Sequence, residues 1–432
     1  MIVKLSVENF GPIKEKQIIS FEADNSDHLE ESYVINIGSY RLLKLALIYG
    51  ANASGKTTIL NAMNFLRQLV LNPKGKKTDE LEFDPFLFDP LTPGLNTVFS
   101  IEFLQNEIKY FYEVEFSKKA IVSEELYFYK PNRANLFKRK TNLESQFTEL
   151  TFGSKVSVNK VYKKTLESNT LWNNTVLGGF LKTNIELFEL QEVIDWFKNF
   201  LKPVVYSKTQ LEGFVTSQIN KGKIARTDVV SILRSADFNI SDIIIDENWQ
   251  VVPEDLVKFL RKQVKVSREH EEIKELENKG KLKSVNIDFE HTINDVKYNL
   301  PLNQESQGTR RYYGFAGLLA LLVKSSTVFP IDELEASLHP DLFLHFIISF
   351  ILNSKNSQII ANTHNREILG NNDVFRKDAI WFTDKDDDGA TEIYSLADFD
   401  SSVVRNTTNV LNAYKTGKLS AAPNLGDAYM DI

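Results

Sequence analysis

The eight residues Gly50-Ala51-Asn52-Ala53-Ser54-Gly55-Lys56-Thr57 constrain the fold of this chain more than any other stretch. They fit G-x-x-x-x-G-K-[ST], a loop whose backbone N–H groups converge on phosphate. Glycines let the chain curl, and a helix that begins where the loop ends brings its positive terminus to the same point. The flanks agree. Residues 45–49 are an apolar run suited to a buried strand, and Ile59, Leu60, Met63, Leu66, Leu69 and Val70 recur at helical spacing. Strand, loop and helix in that order predict an α/β P-loop fold. Within it, Lys56 is expected to reach the β- and γ-phosphates and the Thr57 hydroxyl to ligate Mg²⁺. Gly50, Asn52, Ala53, Ser54, Gly55 and Thr58 complete the expected nucleotide cradle.

The 432 residues allow two to three domains. A formal net charge of −7 argues against a protein that coats nucleic acid through overall charge, although local basic runs leave such contact open. With no cysteine, disulfides and thiolate chemistry are excluded, and a reducing cytoplasm suits the chain. The first residues alternate like a strand and show no signal peptide. The longest apolar run, 312–323, is too short to cross a bilayer and reads as a buried helix.

Three regions differ in character. Residues 1–155 look strand-rich, with a hairpin around Gln105-Asn106-Glu107. Residues 156–295 look mostly helical, with helical spacing at 187–201 and 253–266 and a charged stretch at 268–277 that reads as a solvated helix face. From 296 to 432 short apolar strands (328–331, 357–361, 379–383) alternate with helices, as in one sheet. The expectation is one α/β nucleotide domain split by a mostly helical insertion.

The second half carries further chemistry. Val328-Phe329-Pro330-Ile331-Asp332-Glu333 is an apolar run ending in two acids. At a strand's carboxyl end, Asp332 is suited to hold Mg²⁺ through water and Glu333 to accept a proton from an attacking water. Pro330 fits poorly inside a central strand. Ser306-Gln307-Gly308-Thr309 precedes a helical stretch at 310–324, so Ser306 and Gly308 mark either an ordinary N-cap or a second anion-binding helix end. Two such ends are hard to fill with one nucleotide in one subunit. In a two-fold dimer, each subunit's second end can meet the phosphate held by the other. His364 follows the apolar run 359–361 and is suited to bond a γ-phosphate or a catalytic water, although in isolation it reads as a capping or core histidine.

Taken together, these segments resemble the ABC-type ATPase heads of the SMC and RecF kind. Among these, the chain is most similar to the standalone ATPases of bacterial antiviral and abortive-infection operons, the AbiL-, PARIS- and Septu-type AAA ATPases. Asn9-Phe10-Gly11-Pro12-Ile13 resembles their opening segment, and residues 50–57 their Walker A loop. Glu305-Ser306-Gln307-Gly308-Thr309-Arg310 resembles a variant signature. Residues 331–340 (Ile-Asp-Glu-Leu-Glu-Ala-Ser-Leu-His-Pro) resemble their Walker B strand and D-loop, and Thr363-His364 their switch histidine. Arg405, Tyr414, Gly417 and Pro423 fall where these ATPases carry a tail. No Q-loop glutamine matches firmly; Gln105 fits by position only, with residues 85–89 as the other choice. The resemblance implies a mixed sheet with an N-terminal β lobe and a homodimer or larger homo-oligomer that sandwiches ATP and Mg²⁺. It also implies hydrolysis to ADP and phosphate, and a separate effector, a nuclease or toxin, controlled during phage infection. A DNA-binding repair or clamp ATPase is the alternative, disfavoured by the acidic charge and the missing heptad pattern.

Other features carry less. Asp384-Lys385-Asp386-Asp387-Asp388-Gly389 begins like a calcium loop but has Ser395 where a bidentate Glu should close it, so a hairpin turn is expected. Too few residues follow His364 for a Toprim-type nuclease. Lys74-Gly75-Lys76-Lys77 and Lys138-Arg139-Lys140 read as solvated loops, and His339 and His345 do not share a helix face suited to zinc.

Overall fold

The computed structural model describes residues 1–251, 281–371, 373–399, 410–419 and 421, the side chains of 248–251 and 281–284 excepted. The helical spacing at 253–266, the charged stretch at 268–277, and Arg405 and Pro423 lie outside the described residues.

The chain opens with β1 (Ile2–Glu8) and β2 (Gln17–Ser20), the single turn α1 (Glu30–Tyr33), and β3 (Val34–Ile37) and β4 (Tyr40–Leu43). β5 (Leu45–Gly50) leads through the phosphate loop into α2 (Lys56–Leu71). Five strands follow: β6 (Thr97–Gln105), β7 (Ile108–Phe116), β8 (Ile121–Tyr129), β9 (Arg133–Asn142) and β10 (Phe147–Phe152). Next come α3 (Lys160–Asn169), α4 (Val176–Phe180), α5 (Phe188–Asp195) with a π-helical turn at Trp196–Phe200, α6 (Leu211–Asn220) and α7 (Arg226–Ser235). After β11 (Asp242–Val251), β12 (Lys281–Ile293) and β13 (Val296–Pro301), the chain ends with α8 (Gln307–Lys324), β14 (Val328–Ile331), α9 (Pro340–Asn353), β15 (Gln358–Asn362), β16 (Ile380–Lys385), β17 (Thr391–Ser395) and α10 (Val410–Lys415).

The middle region is therefore not helical throughout, since β11 and much of β12 fall in it. Ile243 pairs Phe289 and Ile245 pairs Ile287; in β12 the two apolar residues flank Asp288, a period of two, whereas β11 carries three consecutive isoleucines, 243–245.

Two compact units result. The first comprises Met1–Thr209, Leu322–Ala336 and Ile347–Ile432; the second comprises Gln210–Leu321 and Ser337–Phe346. The first unit holds a seven-stranded antiparallel sheet, β10-β9-β8-β7-β6-β1-β2, and a five-stranded sheet, β14-β15-β5-β16-β17. In β7 the alternate residues Tyr110, Tyr112, Val114 and Phe116 are buried, as a half-buried strand requires. The turn between β6 and β7 uses Asn106 and Glu107, both at positive φ (48° and 63°), the geometry that matches strand twist in a two-residue hairpin.

An aromatic cluster holds the phosphate-loop helix on this lobe. Phe65 of α2 lies 5.5 Å from the rings of both Phe83 and Phe116 and 5.7 Å from Phe10. Trp196 and Phe197, from the π-helical turn, pack on Phe103 of β6 (4.0 and 6.0 Å).

The basic run at 138–140 is neither a loop nor a uniformly solvated surface. It lies in β9, so alternate residues face opposite ways. Lys138 pairs with Glu125 at 2.9 Å, whereas Arg139 is fully buried 3.5 Å from Glu124. Glu124 also accepts from the Tyr112 hydroxyl and the Val176 N–H. Burial pushes the Arg139 guanidinium down to about 10 and the Glu124 carboxyl up, and their mutual attraction opposes both shifts.

Pro330 is accommodated because β14 is an edge strand of its sheet. Its carbonyl, and hence its missing N–H, faces away from β15, toward the segment 201–205, where Val205 donates to Pro330 O at 2.9 Å.

In the second unit β11, β12 and β13 form an antiparallel sheet whose apolar face meets α8. Phe289 packs edge-on to Tyr313 at 5.2 Å, Phe238 stacks on Tyr312 at 5.2 Å, and Phe315 meets Phe346 at 5.1 Å.

Candidate functional site

The carboxyl ends of β5, β15 and β14 converge in the first unit, and the site is built there. β5 is buried along its whole length, as its unbroken apolar run demands. The chain then turns through Ala53 (φ 62°) and Gly55 (φ 105°) before α2 begins. Left-handed residues at such a turn aim successive N–H groups inward. Close packing fixes the loop. A Cβ on Gly50 would lie 2.4 Å from Thr383 Oγ1 and 2.5 Å from Thr383 O. Ser54 Oγ shares a 2.6 Å hydrogen bond with Thr383 Oγ1, and Thr391 Oγ1 donates to Ser54 O at 2.8 Å. Asn52 and Ala53 are exposed, and Thr58 is half-buried with its N–H donating to Gly55 O at 3.0 Å.

Lys56 is buried and its ammonium bridges the loop, donating to Gly50 O at 2.9 Å and Ala51 O at 2.8 Å. An ammonium has three donors, so one remains for phosphate. Burial pushes the Lys56 pKa down, opposed by the charges of Glu335, Asp332 and Glu333.

The two expected metal-site residues meet across 275 positions of sequence. Thr57 Oγ1 donates to Asp332 Oδ1 at 2.8 Å. Mg²⁺, which this loop type implies, fits that donor set, because it takes oxygen ligands and is held by one or two carboxylates with phosphate and water completing the shell. Glu333 stands next along at φ 49°, a left-handed conformation uncommon for a residue with a side chain.

Three groups at the site were not singled out from sequence. Asn362, 1% exposed at the end of β15, donates to Asp332 Oδ1 at 2.6 Å and accepts from the Glu333 N–H at 2.5 Å. Its signal was a polar residue closing the apolar run 359–361. Glu335 accepts from the His364 N–H at 2.5 Å, while its other oxygen, like the buried Tyr49 hydroxyl, has no hydrogen-bond partner among the described residues. Thr383 and Thr391 buttress the loop from β16 and β17, and only the tertiary fold brings them near. The His364 ring is exposed.

Ser306 and Gly308 belong to the second unit. Ser306 caps α8: its Oγ accepts from the Thr309 N–H at 3.0 Å. Among the described residues Gly308 meets only ordinary contacts, since a Cβ there would lie 3.5 Å from Ser337 O and 3.7 Å from Ser306 Oγ. Gln105 ends β6 with its side chain buried at the hairpin. The acidic run from Asp384 is the β16–β17 hairpin, closed by Asp386 N–H to Ala390 O at 2.9 Å with Gly389 at φ 75°. His345 bonds the Tyr312 hydroxyl at 2.7 Å, and no metal-binding cluster of three His, Cys, Asp or Glu occurs among the described residues. Nor, among them, is any helix long and apolar enough to cross a membrane.

A family model described as "AAA domain, putative AbiEii toxin, Type IV TA system" matches residues 45–166 and 207–370, more than half of the chain. No curated protein matches the sequence. Among solved structures, the chain is similar to an SMC head bound to the C-winged helix domain of ScpA, at 12% identity over 91% of this chain and 97% of that one, with a TM-score of 0.44. It is similar also to an SMC head domain from Thermotoga maritima (13% identity, 91% and 98% covered, TM-score 0.38). A third is an Smc head with an extended coiled coil, bound to the C-terminal domain of ScpA derived from Pyrococcus furiosus (14%, 91% and 96%, TM-score 0.36). Likenesses this remote leave the assignment to the family match and to the loop geometry. On those two grounds, the chain belongs to the AAA domain family described as putative AbiEii toxin of type IV toxin–antitoxin systems, with the α/β fold of a P-loop ATPase.

Proposed function

We propose that the protein binds and hydrolyses ATP at a site completed by a second copy of itself. The observation that carries the reading is the Thr57–Asp332 hydrogen bond beside Lys56, which joins the loop hydroxyl and the strand-end carboxylate as a metal–triphosphate site requires. Mg²⁺, when bound, would neutralise phosphate charge between these two residues. Lys56 and the loop N–H groups then hold the β- and γ-phosphates. Glu333 polarises the attacking water and takes up its proton, and His364 bonds the γ-phosphate.

The open face of Gly308 and the capped start of α8 support the second half of the reading. Among the described residues Gly308 has room for a side chain, so the glycine suits a close approach from outside. In the dimer, Ser306 and Gly308 of one copy meet the triphosphate held by the other. Hydrolysis separates the copies and so reports ATP state to a partner. The family description points to a toxin–antitoxin setting, and the motif resemblance to antiphage defence, so the partner is read as a separate effector, most simply a nuclease.

The test is Glu333→Gln. It is expected to bind ATP, to accumulate as a nucleotide-bound dimer or larger assembly, and to lose turnover by about a thousandfold. Turnover equal to that of the wild type would remove Glu333 from the mechanism.

A further inference from the structure

Asn362 is almost completely buried, and both ends of its carboxamide are engaged. Nδ2 donates to Asp332 Oδ1 at 2.6 Å and lies 3.2 Å from Thr57 Oγ1, while Oδ1 accepts the Glu333 N–H at 2.5 Å. The Asn362 main-chain carbonyl accepts from the Leu334 N–H at 3.2 Å. One residue thus touches the loop hydroxyl, the strand-end acid and the peptide of the neighbouring acid.

Strand order makes this reach available. β15 lies between β5 and β14, so its last residue stands between the phosphate loop and Asp332. The chemistry then selects the side chain. The position must donate to a carboxylate and a hydroxyl while accepting from a backbone N–H. A carboxamide does both; a carboxylate lacks the donor and a hydroxyl lacks the span. Glu333 adds a further demand, since its left-handed backbone (φ 49°) is held by the bonds that it and Leu334 make to Asn362.

We propose that Asn362 is a positioning residue of the ATP site, with two separable duties. Nδ2 holds Asp332 and Thr57 together as a ready metal site, and Oδ1 fixes the Glu333 peptide so that its carboxylate faces the attacking water. This rests on the role given to Glu333 above.

Two substitutions separate the duties. Asn362→Ala removes both. Asn362→Asp keeps the acceptor for the Glu333 N–H and exchanges the donor for a second carboxylate beside Asp332. Binding is read with a fluorescent, non-hydrolysable ATP analogue titrated with Mg²⁺, and the Mg²⁺-dependent shift in melting temperature is read alongside. For Asn362→Ala, half-maximal binding needs about tenfold more Mg²⁺, the range lost when a residue behind a metal ligand is removed. Its kcat falls by about a hundredfold, as for a misplaced reacting group. Binding without Mg²⁺ stays within about twofold of wild type, since neither duty touches phosphate directly. For Asn362→Asp, half-maximal binding needs no more Mg²⁺ than wild type, because the new carboxylate is itself a hard ligand. Its Mg²⁺-dependent melting shift exceeds that of wild type, and its kcat falls by no more than about tenfold, since Glu333 keeps its bond.

If Asn362→Ala does not fold, the Asn362→Asp results decide. A rise in the Mg²⁺ requirement there, or a kcat loss matching that of Glu333→Gln, overturns the proposal. So does an Asn362→Ala protein with wild-type Mg²⁺ requirement and kcat while Glu333→Gln is inactive; in that case the function stands and the positioning role falls. If Glu333→Gln itself turns over normally, it is the underlying reading that fails.

Discussion

Thr57→Val probes the proposed metal site before any ligand is present. Valine keeps the shape of threonine and removes the donor, so the 2.8 Å bond to Asp332 is lost with little change in packing. A hydrogen bond to a charged acceptor contributes about 1.5–3 kcal/mol. Asp332 is 8% exposed, yet Oδ1 keeps its bond from Asn362. The lower end of the range therefore applies, and the nucleotide-free protein is expected to lose about 1.5 kcal/mol in urea denaturation. In an Asp332→Asn background the acceptor is neutral, the bond weaker, and the same substitution should cost about 0.5 kcal/mol. The coupling energy is thus about 1 kcal/mol, within the range for residues in contact. Affinity for the Mg²⁺–nucleotide, read by calorimetry, should fall at least about tenfold in each single variant. The double variant should be little worse than the weaker single one if both residues act on one ion, as proposed. Additive stability changes, or nucleotide affinities that multiply, would refute the shared site.

Phe65→Ala removes the ring that ties α2 to Phe10, Phe83 and Phe116; an unfolding free energy lower by about 3 kcal/mol is expected from urea titration. Tyr110 is buried, and burial, helped by the charges of Glu192 and Glu189, pushes its phenol up to about 12. Its raised folded value means that its contribution is complete below the unfolded value of about 10 and is lost as pH rises toward 12, by about 1.4 kcal/mol per pH unit. Tyr110→Phe should therefore lose stability less steeply than wild type between pH 10 and 12 in denaturant titrations.

The phosphate loop, its strand and its helix were legible because each rests on local pattern: an apolar run, glycines at fixed offsets and a period of 3.6. Asp332 was legible for the same reason, as the acid closing an apolar run. Asn362 was not, because its importance comes from strand order. Nothing local says that the strand ending in Asn362 lies between the strands ending in Gly50 and Ile331. Arg139 was misread because a run of three cations looks solvated until the strand period turns the middle one inward to Glu124. The strands β11 and β12 escape a local reading because only β12 alternates (Asn286, Ile287, Asp288, Phe289, Glu290), β11 carries three consecutive isoleucines, and the charged run 268–277 between them in sequence has helical spacing. Thr383 and Thr391 could not be found, since their contact with the loop spans more than 300 residues of sequence.

Mixing two inactive variants tests the shared site directly. Lys56→Ala disables the loop, and Gly308→Asp sets an anion at the start of α8, where the helix itself tolerates one. Each variant alone is expected to be inactive. Co-refolded or co-expressed in equal amounts, half of the dimers carry one copy of each, and one site in each such dimer is intact. Turnover should recover to about a quarter of wild type if the triphosphate is caged by two copies. No recovery, in a mixture shown to exchange subunits, would contradict that cage.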